Sequence, residues 1–188
     1  MSMRLAILGL LMEADAHPYE ITQKMKEREM HRYTKLQMGS LYYAVDRLAE
    51  EACIEPVEIV KDAGRPDKTI YRITEKGRKE FERLLLRVFE EYEPMKHPLY
   101  MALVFADHGD QQKLAEILDS RVRKCEKAMK VFYEVYREHI DIVPKSALHM
   151  MVGGFEHAKV ELQWLTRLRD DAREGKLGEM GVPIEFTV

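Results

Sequence analysis

Between positions 57 and 73 the chain abandons the helical period that governs the residues before it. Val57 and Ile59 alternate with Glu58 and Val60, the period of a strand with two unlike faces. Thr69-Ile70-Tyr71-Arg72-Ile73 is a second such segment, rich in β-branched and aromatic residues. The residues between, Lys61 to Lys68 with Gly64-Arg65-Pro66 at their centre, form a turn by composition. Pro56 and Pro66 fall at a strand start and in the loop, where a missing N–H does no harm. The expected element is a short hairpin with a basic tip.

The hairpin decides how the preceding helices are read. Leu5, Leu8, Leu11 and Met12 share one face of a first helix, about Arg4 to Glu13. Asp15-Ala16-His17-Pro18 breaks it, and Pro18 suits the first turn of a second helix that runs through Ile21 and Met25 to about Arg28. Leu41, Ala44, Val45 and Leu48 follow the i, i+3, i+4, i+7 pattern of a third helix with one buried face. Three short helices alone fit a helix-turn-helix or any small bundle. With a basic-tipped hairpin directly after them, they read as a winged helix. Thr74 is a fitting N-cap for a fourth helix, through Phe81, Leu84, Leu85 and Val88 to about Tyr92.

Pro94 and Pro98 mark a boundary, followed by a short apolar helix, Leu99 to Ala106. Gly109-Asp110 opens a long helix with apolar positions at Leu114, Leu118, Val122, Cys125, Met129, Phe132 and Tyr136, in steps of three and four that match a coiled-coil seam. Pro144 interrupts. A last helix repeats the spacing at Leu148, Met151, Phe155, Ala158, Leu162 and Leu165. The fold class expected is mainly α: an N-terminal winged helix-turn-helix with a two-stranded wing (1–92), a C-terminal helical dimerisation domain (93–175), and a loose tail (176–188). Seams with little else to pack on imply a homodimer through the C-terminal helices. The alternative is a monomer whose long helices fold back on the winged helix.

Charge supports one confined nucleic-acid face. The whole chain carries a formal net charge of −3, which argues against a uniformly basic binder. Between positions 61 and 79, however, seven Lys and Arg stand against three Asp and Glu. No run of eighteen apolar residues exists, so no membrane helix is expected. The apolar stretch Leu5 to Met12 is followed by Glu13 and Asp15 with no small-residue cleavage site, which rejects a signal peptide, and the cytoplasm is the expected compartment.

Helices enter the major groove of duplex DNA through their N-terminal residues. On the third helix these are Gln37, Gly39, Ser40 and Tyr43, with Arg47 one turn on. Gln37 suits adenine, Ser40 suits base or phosphate, and Gly39 lets the backbone approach closely. Tyr42 lies beside the buried face and either reaches a phosphate or packs the helix onto its neighbours; both readings stay open. Arg65 and Lys68 stand at the wing tip, suited to phosphates or a narrow minor groove, unless the turn is simply solvated. Lys24, Lys26, Arg28, Arg32 and Lys35 are weaker phosphate candidates, with Glu27 and Glu29 among them.

In order and spacing, Leu5-Ala6-Ile7-Leu8-Gly9-Leu10-Leu11, Pro18-Tyr19-Glu20-Ile21, Gly39-Ser40-Leu41-Tyr42, Arg47-Leu48, Gly64-Arg65-Pro66 and Tyr71-Arg72-Ile73-Thr74-Glu75-Lys76-Gly77 resemble the PadR family of bacterial transcriptional regulators. The resemblance covers residues 4–80; the C-terminal half is similar to the longer helical dimerisation domain of one branch. It implies a dimeric regulator, typically a repressor, on a palindromic operator, with phenolic acids or other small aromatic compounds as effectors of some members. Tyr43 stands where the family often has Pro, and Ala52-Cys53 where it often has Gly. No ligand motif carries over residue by residue.

Other chemistry is thinly supported. Seven histidines stand at 17, 31, 97, 108, 139, 149 and 157 with no HxxxH or HExxH pair, so no metal is expected. No phosphate loop, nucleophile elbow or CxxC is present, so neither an enzyme nor a cofactor is expected. Gly153-Gly154 inside the last helix suits a close crossing or a kink. Cys53 and Cys125 read as buried small residues; Cys125, with the basic Arg123 and Lys124 beside it, is the better redox candidate. Met95, Phe105 and Trp164 are the candidate lining of a pocket for a flat apolar effector, against the alternative that they are ordinary core. The functional expectation is a sequence-specific, ligand-responsive dimeric repressor. The alternative is a winged-helix module for protein–protein assembly without DNA.

Overall fold

The computed structural model describes residues 3–30, 38–60, 68–94 and 96–185. The chain divides into two compact units, Met1–Pro94 and Met95–Val188.

In the first unit, helices α1 (Met3–Glu13), α2 (Pro18–Glu27) and α3 (Leu41–Glu50) precede strands β1 (Ile54–Val60) and β2 (Lys68–Ile73) and helix α4 (Glu75–Glu90). A 3₁₀ turn, Met38–Ser40, leads into α3. Helix α1 packs against α2, α3, β2 and α4, and its buried side chains are Ile7, Leu8, Leu10 and Leu11. The periodicity places Leu5 and Met12 on that face. Met12 is instead 41% exposed, because a helix covered by four neighbours buries the middle of its length all round rather than one stripe. Phe81 of α4 lies where a Cβ on Gly9 would meet its ring at 3.3 Å. Ile21, Met25, Leu41, Val45, Leu48, Ile54 and Ile73 complete the core.

Helix α2 starts on a capping box. His17 Nδ1 accepts from the Tyr19 N–H at 3.0 Å, Glu20 Oε2 accepts from the His17 N–H at 2.8 Å, and Pro18 occupies the first turn, where its missing N–H is unneeded. Helix α4 starts on Thr74 as expected: its Oγ1 accepts from the Gly77 N–H at 3.1 Å. The same hydroxyl donates to the Ala52 carbonyl at 2.8 Å, so one side chain ties the chain on both sides of the hairpin.

The strands are antiparallel, with Ile54 opposite Ile73 and Val60 opposite Lys68. The register shifts between Pro56 and Glu58, a bulge at Val57. Pro56 therefore lies inside β1, next to the bulge, and not at its start; a two-stranded ribbon tolerates it because the ladder is already interrupted there. The apolar anchors are Ile54 and Ile73, whereas Val57 and Ile59 are 39% and 58% exposed. Ala16, in the link between α1 and α2, forms an isolated antiparallel bridge to Tyr71 through two 3.1 Å backbone hydrogen bonds. Beside it, the Asp15 carboxylate accepts from the Arg72 guanidinium at 2.6 to 3.1 Å.

The second unit contains α5 (Pro98–Leu103), a 3₁₀ turn at Ala106–His108, α6 (Gln111–His139) and α7 (Lys145–Arg173). The short helix expected to reach Ala106 ends at Leu103. His97 caps it as His17 caps α2, Nδ1 accepting from the Leu99 N–H at 3.2 Å. Helices α6 and α7 each run 29 residues, about 42 Å at the rise of an α-helix, and pack antiparallel on each other. Leu118 and Val122 of the seam meet Leu165, together with Ala115 and Ala172. The seams thus find part of their cover in each other. Arg121 to Glu161, at 3.1 Å, and Arg173 to Asp119 bridge the pair.

Gly153 and Gly154 separate. A Cβ on Gly154 would stand 2.5 Å from the Phe132 ring, so this glycine makes the close crossing; a Cβ on Gly153 would meet nothing within 4 Å. Past Gly175, Leu177 packs on the hairpin core and its N–H donates to Gln111 Oε1 at 3.2 Å. No described helix is long and apolar enough to cross a membrane.

Candidate nucleic-acid interface

Helix α3 has one fully buried face, Leu41, Ala44, Val45 and Leu48. Its other face is open to solvent. Tyr42 and Tyr43 are 55% and 69% exposed, so both rings reach solvent while Tyr42 keeps part of its surface against the helix's neighbours. Gly39 is exposed on the turn before the helix, and a Cβ there would meet nothing within 4 Å, so the fold does not require a glycine. Ser40 occupies the N-cap position without capping through its side chain. Arg47 is exposed, and its guanidinium donates to Glu50 Oε2 at 2.7 Å. A phosphate contact by Arg47 therefore requires exchange of this exposed ion pair, a small cost at such a site.

Lys68 begins β2 and is exposed, on the edge of the hairpin. Gln37, Arg65 and Met95 lie outside the described residues. Not all of the local positive charge is unpaired: Arg72 is held by Asp15, whereas the Arg78 guanidinium meets the neutral Met12 sulfur, at 3.2 Å, and keeps its charge. Arg28 is held by Glu13 at 2.6 Å. The Asp15 and Glu13 carboxyls lie below the usual range because of their hydrogen bonds to these arginines. Spacing gives no hint of a pair such as Asp15 and Arg72, 57 residues apart. Asp46, exposed between Tyr43 and Glu50 on α3, also belongs to this face, and its residue type does not single it out.

The effector candidates part company. Phe105 lines an apolar cavity of about 240 Å³ with Leu99, Leu103, Leu114, Leu118 and Leu177, and Arg121 is the charged group in its wall. Trp164 is not part of that lining. Its ring stands edge-on to His97 at 4.8 Å and to Tyr100 at 5.9 Å. His97 Nε2 lies 3.5 Å from Glu161 Oε1, the carboxylate that also holds Arg121. The cluster of His97, Tyr100, Glu161 and Arg121 escapes sequence reasoning because its members come from separate segments of the chain.

Burial pushes both thiols up: Cys53, 2% exposed, and half-buried Cys125. A raised thiol is a poor nucleophile. Among the described residues no group of three or more His, Cys, Asp or Glu is placed to hold a metal ion.

Three helices, a two-stranded hairpin and a solvent-facing third helix define a winged-helix protein, here followed by a long helical hairpin. Residues 7–83 match the family described as the transcriptional regulator PadR-like family. The chain shares its fold, over most of its length, with several solved structures. Bacillus subtilis PadR, in a complex with operator DNA, is similar at a TM-score of 0.72 and 19% identity, over 90% of this chain and 98% of that one. The same protein in a complex with p-coumaric acid matches at 0.72 and 18%, over 90% and 98%. The Vibrio cholerae virulence activator AphA matches at 0.68 and 15%, over 92% and 99%. No curated protein matches the chain in sequence.

Proposed function

We propose that this protein is a dimeric, ligand-responsive transcriptional repressor in the cytoplasm that binds a palindromic operator. The observation that carries the reading is α3: a helix buried on one face and bare on the other, its open side bearing Gly39, Tyr42, Tyr43 and Arg47, in a PadR-like domain. Gln37, Ser40 and Tyr43 contact bases; Tyr42, Arg47, Arg65 and Lys68 contact phosphates, which fix register without reading sequence. Residues 1–92 form the DNA-binding domain, residues 93–175 the dimerisation domain, and the residues from 176 a tail. Ile117, Val131, Tyr133, Met150 and Val160 leave apolar surface on α6 and α7, 39% to 65% exposed, for a second copy to cover. Two recognition helices about 34 Å apart then meet successive major grooves. The apolar cavity beside Phe105 takes a small effector, with the ring cluster around Trp164 on its flank, and acts by favouring one spacing of the protomers.

Fluorescence anisotropy on duplex DNA, from the region upstream of its own gene, tests this. Affinity should fall steeply with salt, and the log–log slope should flatten in Arg65→Ala/Lys68→Ala by about one unit for each phosphate that the variant leaves unneutralised. An unchanged slope removes the wing from the interface. A second reading, protein–protein assembly without DNA, is favoured by the carboxylates of Asp46 and Glu50 on the open face of α3. It predicts no salt-dependent duplex binding at all.

A further inference from the structure

The outward stripe of α3 has an unusual composition for a surface facing a polyanion. Residues seven apart, with one three or four between, point the same way on a helix. Opposite the buried Leu41, Ala44, Val45 and Leu48 this stripe is Gly39, Tyr43, Asp46 and Glu50, with Tyr42 and Arg47 flanking it. Its two carboxylates differ. Glu50 ends the helix and is neutralised by Arg47 at 2.7 Å. Asp46 is exposed, makes no ion pair or hydrogen bond among the described residues, and lies roughly 7–8 Å along the axis from Leu41, within the part of the helix that reaches base edges.

Phosphates repel a carboxylate, so on this face Asp46 weakens binding unless a base supplies a donor. The major groove offers two, the cytosine N4 amino group and the adenine N6 amino group. Adenine places its N7 acceptor beside the donor, against the second carboxylate oxygen; cytosine has only C5–H on that side. We propose that Asp46 is a specificity-determining residue that accepts a hydrogen bond from the amino group of one cytosine in each operator half-site. The inference rests on the DNA-binding reading above and assigns one base position within it.

The test is selection of duplexes from a random pool by the full-length chain and by Asp46→Asn and Asp46→Ala, followed by competition against single-base variants, with circular dichroism melts to verify the fold. The wild type should select cytosine at one position per half-site. Asp46→Ala should lose that preference by at least about fivefold and keep the others. Asp46→Asn should move it toward adenine, which an amide pairs through N6 and N7. If all three select the same sequence, or Asp46→Ala binds every sequence more tightly by one factor, Asp46 reads nothing and the inference falls while DNA binding stands. If the wild type retains no duplex, both fall.

Discussion

The backbone of Gly77 lies so close to the carbonyl oxygen of Cys53 that a Cβ on residue 77 would collide with it and with the Ile73 side chain. This close approach shuts the hairpin: Thr74, three residues earlier, donates its hydroxyl to Ala52 and receives the Gly77 N–H. Neither neighbour of the missing Cβ is a movable side-chain tip. Gly77→Ala should therefore destabilise the first unit by at least about 3 kcal/mol, the upper range for overpacking a rigid core. Urea unfolding followed by circular dichroism measures it.

Gly39 is the opposite kind of glycine. Space around it is open and its conformation is not left-handed, so Gly39→Ala should leave the melting temperature within about 1 °C, the scale of a neutral surface change. If the backbone there approaches DNA, the same methyl should weaken operator affinity severalfold. Affinity and melting temperature measured on one preparation separate the two effects.

The paired glycines of α7 should also diverge. Gly153→Ala adds a methyl to open space and should stabilise the helix by up to about 1 kcal/mol, the propensity difference between the two residues. Gly154→Ala must push the Phe132 ring aside and should gain less or lose stability. A dimer that dissociates on Gly153→Ala in sedimentation velocity would place residue 153 against the second copy.

Acid should unfold the protein earlier than a chain of isolated carboxylates. Glu51 is held low by hydrogen bonding to Arg4, Glu80 by Arg83 and then Arg4, and Asp110 by the Lys113 backbone N–H; Glu13 and Asp15 are low as described. A carboxyl lower in the folded than in the unfolded chain stabilises fully above its ordinary value, about pH 4, and that contribution is lost as pH falls below it and through the lower folded value. Melting temperature should be nearly flat from pH 7 to about 5 and fall below that range. A steeper fall between 7 and 5 would contradict this origin.

Much of the first unit is legible from spacing. The α3 face, the Thr74 cap and the hairpin depend on residues within a few positions of one another, where period and capping chemistry act. The bridge of Ala16 to Tyr71 and the pairing of Asp15 with Arg72 join segments more than fifty residues apart, and no local signal encodes them. At the site, Tyr42 reads two ways in sequence, and its 55% exposure, a tertiary quantity, leaves the ring both partly packed and open to solvent. Asp46 is invisible at that level because an aspartate on a helix surface is ordinary.

Periodicity and turn chemistry alone established the order and type of the elements, the buried side of α3 and the heptad-like spacing of α6 and α7, because these follow from neighbours along the chain. Packing decided the rest. It turned α1 into a helix covered nearly all round, gave Gly154 and not Gly153 the crossing, and put Phe105 on a cavity and Trp164 against His97 and Tyr100. It also chose which cations of the first unit are taken up, since Arg72 meets Asp15 only when distant segments are folded together, whereas Arg47 and Glu50 pair within one turn of α3.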